Sequence, residues 1–70
     1  MYEFGQNLKE AMDTAEMNAR DLAIEIAVGE STISRYINGT RLPDLLTLVN
    51  IAYALACDLD DLIDVSEMIE

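Results

Sequence analysis

Seventy residues, 51% hydrophobic and 26% charged, are enough for one small domain, and a chain of this size buries only about 60% of the surface its unfolded form exposes. Fourteen acidic and four basic residues give a formal net charge of -10, with no histidine and a single cysteine. These counts exclude an internal disulfide and histidine chemistry, and no apolar run approaches the ~20 residues a membrane span requires.

The first predicted helix runs from Phe4 to Ala15, where Phe4, Leu8, Ala11, Met12 and Ala15 recur at three- and four-residue steps. Gln6, Asn7, Lys9, Glu10 and Asp13 take its solvent side. Met17 precedes Asn18, a capping residue, and is placed to act as a hydrophobic staple on the next helix. That second helix carries Leu22, Ala23 and Ile26 as its apolar stripe, and Ala27-Val28-Gly29 interrupts it. A third helix follows from about Glu30 to Ile37, with Ile33, Tyr36 and Ile37 inward and Ser31, Thr32, Ser34 and Arg35 outward. Asn38-Gly39 ends it with a turn dipeptide. Ala23 is small enough to let the third helix cross the second closely. Two short helices joined by a tight turn, the second offering a polar face, are the pattern of a helix-turn-helix.

Residues 39–43 read as a loop, and Asp44 caps a fourth helix whose inward face is expected to be Leu45, Leu48, Val49, Ala52 and Leu55, with Leu46 and Tyr53 partly outside. Asp58 starts a short fifth helix with Leu59, Leu62 and Ile63 inward, and Asp60 and Asp61 in its first turn suit the helix dipole. The acidic tail from Asp64 to Glu70 either continues that helix or frays. There are no strand signals, repeats or low-complexity segments. The expectation is an all-α, compact five-helix bundle forming a single domain over residues 1–70, with residues 64–70 as its tail.

Charge is unevenly placed. Residues 1–17 carry a net -3 and residues 44–70 a net -7, whereas residues 18–43 balance Arg20, Arg35 and Arg41 against Asp21, Glu25 and Glu30. The three arginines thus lie in or just after the helix-turn-helix. Acids more than about 8 Å away are largely screened at physiological salt. Cys57 lies in an apolar run and reads as a small core residue. With no basic start or apolar leader, the N-terminus gives no signal-peptide pattern, so a cytoplasmic location is expected.

Over roughly residues 4–63 the chain resembles the phage-repressor-like helix-turn-helix domain of the Xre or Cro/repressor type, also called lambda-repressor-like. The resemblance rests on Leu8, Leu22-Ala23, Val28, Thr32-Ile33-Ser34-Arg35, Asn38-Gly39, Arg41-Leu42-Pro43, Leu45, Leu48, Ala52, Ala54-Leu55 and Leu59-Asp60-Asp61-Leu62, in register without a gap. It implies a five-helix fold, a dimer, and sequence-specific binding in the major groove of double-stranded DNA to regulate transcription. Arg35 would read guanine or clamp a phosphate, and Ser31, Thr32 and Ser34 would reach base edges or phosphates. Asn38, Thr40, Arg41, Arg20 and the first amides of the second and third helices would hold the phosphate chain. Glu30 either accepts from a cytosine amino group or is a first-turn carboxylate.

Four positions depart from the family pattern. Met12 and Ile37 stand where members often place an Arg–Glu ion pair, so the two are expected to touch as an apolar replacement. Ala27 stands where Gly is frequent; either it takes a left-handed backbone at about 1 kcal/mol or Gly29 absorbs the bend. Ala19 replaces a frequent phosphate-orienting Gln. Together with the net charge, and with Ile24 and Leu46 on outer faces, these departures support an alternative: the same fold binding a protein partner, as an antirepressor or antitoxin-like module. No catalytic constellation, cofactor motif or metal-ligand spacing is present, and the carboxylates at Asp58, Asp60, Asp61 and Asp64 fit capping better than calcium binding.

Overall fold

The computed structural model describes residues 3–63. Five helices follow in order: α1 (Phe4–Thr14), α2 (Ala19–Ile26), α3 (Glu30–Asn38), α4 (Leu45–Ala54) and α5 (Leu59–Leu62). The fold is the expected all-α five-helix bundle, with α2 and α3 as the helix-turn-helix. The reading of residues 64–70 as a continued or frayed helix lies outside the described residues.

The core is apolar throughout. Phe4, Leu8 and Met12 of α1, Leu22 and Ala23 of α2, Ile33 and Tyr36 of α3, and Leu48, Ile51 and Ala52 of α4 meet Leu55, Leu62 and Ile63 in one cluster. Among the described residues no polar or charged side chain is buried. α3 is held between α1 and α2, α4 packs on α2, and α5 closes the bundle against α1 and α4. Phe4 meets Tyr36 edge to face at 6.0 Å, which locks the start of α1 to the end of α3. Each fully buried Leu, Ile or Phe contributes about 1.5–3 kcal/mol relative to exposure.

Two inward assignments on α4 are corrected. Leu45 and Val49 are 59% and 43% exposed, and Ile51, fully buried, takes their place. α4 is apolar almost all the way round, so spacing alone cannot choose its inner face. Contact with α2 and α5 selects Leu48, Ile51, Ala52 and Leu55. Asn7, expected in solvent, is half-buried, and its Nδ2 donates to the Leu62 carbonyl at 2.9 Å. A one-turn helix leaves its carbonyls without partners, and α1 supplies one.

The helix ends explain the sharp turns. Asn18 accepts from the Asp21 amide at 2.8 Å, and the Asp21 carboxylate accepts from the Asn18 amide at 3.3 Å, a complete capping box on α2. Asp44 accepts from the Thr47 amide at 2.8 Å at the start of α4. The Thr47 hydroxyl first, and then this amide, hold the Asp44 carboxyl below its ordinary value of 3.8, with desolvation opposing and Arg41 adding the smallest pull. A lowered folded pKa stabilises above the ordinary value and is lost as pH falls through the folded one. The stability gap between wild type and Asp44→Asn should therefore be widest at neutral pH and close in acid, as read by thermal melts across pH.

Four helices close the same way. Met17, Val28, Thr40 and Cys57 donate their amides to the carbonyls of Met12, Ala23, Arg35 and Ala52 at 2.9–3.0 Å, each preceded by a left-handed residue: Glu16, Ala27, Gly39 and Ala56. This is the Schellman closure, for which glycine is the unstrained choice. Only the end of α3 uses it. Ala27 sits at φ 59 and ψ 47 while Gly29 is extended at φ -76, so Ala27 and not Gly29 takes the bend. Ala27→Gly relieves roughly 1–2 kcal/mol of strain and gives back about 0.4–1 through a freer unfolded chain. The expected result is a urea midpoint raised by an equivalent of about 0.5–1 kcal/mol with an unchanged slope; a lowered midpoint would show that the bend carries no strain.

Candidate nucleic-acid interface

Successive α-helical residues turn by about 100°. On α3 this places Ile33 and Tyr36 inward, where both are buried, and brings Ser31, Ser34, Arg35 and Asn38 together on the opposite side, where all four are exposed. Glu30 is exposed at one edge of this face and Thr32 half-buried at the other. The face is polar, carries one guanidinium, and rests on an apolar base built by α1 and α2.

The two helix starts differ. At α2, the Asp21 amide is taken by Asn18 and the Asp21 carboxylate already lies at the N-terminus. A phosphate there would meet a negative charge. α3 begins on Gly29, which has no side chain to cap it, and the Thr32 and Ile33 amides bond the Gly29 carbonyl. The amides of Glu30 and Ser31 precede the helical ladder and no side chain caps them, although α3 too carries a first-turn carboxylate, Glu30. The sequence placed both helix starts on the phosphate chain without separating them. The signal was present in the Asn18-to-Asp21 spacing, a capping box that also charges the site it closes.

The flanking candidates lie at helix ends and in the loop after α3. Arg20 is exposed in the first turn of α2, next to Asp21. Asn38 is the last residue of α3 and Gly39 turns the chain away at φ 79. The Thr40 amide and hydroxyl both donate to the Arg35 carbonyl, at 3.0 and 3.3 Å, so Thr40 helps close α3 and keeps only acceptor capacity for a ligand. Arg41 is exposed in the loop and close enough to Asp44 to lower its pKa.

Elsewhere the chemistry is structural. Cys57 packs against the core, and burial, with Asp61 and Asp58 adding to it, pushes its thiol pKa up, away from the reactive thiolate. The Asp61 carboxylate accepts from the Asp58 amide at 3.0 Å at the start of α5. Among the described residues no group of three or more His, Cys, Asp or Glu side chains is placed to hold a metal ion. No described helix is long and apolar enough to cross a membrane.

The family model of the Cro/C1-type HTH DNA-binding domain matches residues 7–67 of the chain. No curated protein matches it.

Proposed function

The chain belongs to the Cro/C1-type helix-turn-helix DNA-binding domains, and from that premise we propose that it is a small transcriptional regulator which binds double-stranded DNA sequence-specifically as a homodimer. The observation that carries this reading is the exposed face of α3, where Ser31, Ser34, Arg35 and Asn38 point away from a base that fixes the helix in place. Arg35 is the base-reading or phosphate-clamping group, the start of α3 holds one phosphate, Thr40 and Arg41 take the chain beyond the far end of α3, and Arg20 contributes from the first turn of α2. The acidic residues lie mainly towards the chain ends, so the interface itself is close to neutral.

Few phosphate contacts follow from three arginines. Each neutralised phosphate adds about -0.9 to the slope of log affinity against log salt, so the slope should not exceed about -3 per chain. Arg35→Ala should weaken binding by about 1–3 kcal/mol and, if Arg35 reads a base, relax the preference at one position. Titration of DNA from upstream of the gene at two salt concentrations checks both. No binding at low salt, with Arg35→Ala indistinguishable from wild type, would overturn the reading. The protein-partner alternative, antirepressor or antitoxin-like, draws on the net charge of -10; that null result would favour it.

A further inference from the structure

The outer face of α4 carries no charge. The helix, LLTLVNIAYA, contains no ionisable group except the Tyr53 phenol, whereas α1, α2, α3 and α5 all show carboxylates, and most of them basic groups, to solvent. Leu45, Val49, Tyr53 and Leu46 fall within an arc of about 100° on this helix. They are 59%, 43%, 89% and 71% exposed, and Leu42, just before the cap, is 54% exposed. A helix that is apolar on all sides is normally covered on all sides. Among the described residues its main packing partners are α2 and α5, on one side.

We propose that this face is the surface through which two copies of the chain associate. The occupant follows from charge and size. At a net charge of -10, two copies repel wherever their carboxylates approach, and α4 offers a face on which they can meet without bringing like charges into contact. The nearest carboxylates, Asp44 at the helix start and Glu25 in the groove beside Tyr53, border the patch, so two copies would meet on its apolar centre. The exposed apolar area is on the order of 500 Å2, within the range of the largest patches that monomers leave open and often use. A standard interface takes ~800 Å2 per partner, so a polar rim around the patch must supply the remainder. The inference deepens the homodimer reading above by naming its surface.

The association should tighten with salt, because screening removes the repulsion between two acidic bodies while apolar contact persists. DNA binding should weaken over the same range. Sedimentation of the full chain without DNA, across a concentration series in ~0.1 M and ~1 M salt, reads this directly. Leu46→Lys with Tyr53→Lys should weaken self-association at least about tenfold. Both positions are solvent-facing, so the helical signal should stay unchanged. Ile24→Lys, which alters an equally exposed apolar residue on α2, should leave the association constant where it was. A chain that stays monomeric, a dimer indifferent to the two lysines, or a dimer that loosens with salt would each overturn the proposal. So would a monomer in which Tyr53 contacts residues 64–70 independently of concentration. A monomer that still binds DNA overturns this surface and leaves the DNA reading standing; a salt-tightened dimer that ignores DNA does the reverse.

Discussion

Gly5→Ala is expected to destabilise the fold by about 2–3 kcal/mol, although the position is helical and alanine is the better helix former by about 1 kcal/mol. The sign is set by what a β-carbon would meet. It would run into the Ile37 carbonyl oxygen and lie 2.9 Å from the Tyr36 carbonyl oxygen and 3.0 Å from the Ile37 carbonyl carbon. These are backbone atoms in the last turn of α3, so no rotamer change relieves the clash. Overpacking of this kind costs typically 1–3 kcal/mol, and more when neighbours cannot yield. Either α1 lifts away, opening the Phe4–Tyr36 contact, or α3 shifts and carries Arg35 with it. DNA affinity should therefore fall together with the denaturation midpoint. Gly29→Ala is the control, because nothing lies closer than 3.8 Å to a β-carbon there and its backbone is extended. Gly39→Ala separates conformation from space: it meets nothing within 4 Å but must adopt φ 79, for a cost of about 1–2 kcal/mol. If Gly5→Ala proved as mild as Gly29→Ala, the close approach of α1 to α3 would be wrong.

Local signals in the sequence carried most of the fold. Asn18 and Asp44 declare their helices because a capping side chain acts within three residues. The stripes of α1, α2 and α3 declare their inner faces because polar residues fill the gaps between them. α4 has few such polar gaps, so its spacing favours Leu45 and Val49 while the structure buries Ile51. Gly5 and Asn7 act on residues 32 and 55 positions away along the chain, and nothing in their neighbourhood marks such partners. The site divides in the same way. The residues on the outer face of α3 follow from helical period alone. The contrast between a closed α2 start and an open α3 start depends on which amides are already bonded, and the engagement of Thr40 with Arg35 depends on the closing turn.

Introducing a charge pair at Met12 and Ile37 should show strong non-additivity. Met12 is 4% exposed in the core, and Ile37 is half-buried against the same cluster, on helices that pack together. Met12→Arg alone places a guanidinium among apolar groups, and breaking or omitting one partner of a buried pair costs about 3–5 kcal/mol. Ile37→Glu alone should cost less, because its site is partly open to water. Together the two charges can meet if the side chains are adjacent. The double variant should then be more stable than Met12→Arg alone, with a coupling of about 1–3 kcal/mol measured by a double-mutant cycle. It should not exceed wild type, since a packed apolar pair commonly equals or betters a buried ion pair. Additive losses would mean that Met12 and Ile37 sit in the same core without touching. Coupling would instead show that Met12 and Ile37 are adjacent and tie α1 to α3 through apolar contact. An apolar tie carries no charge, so the seating of α3 on α1 should not change through this contact with pH or salt, whereas in the double variant it should loosen as salt rises.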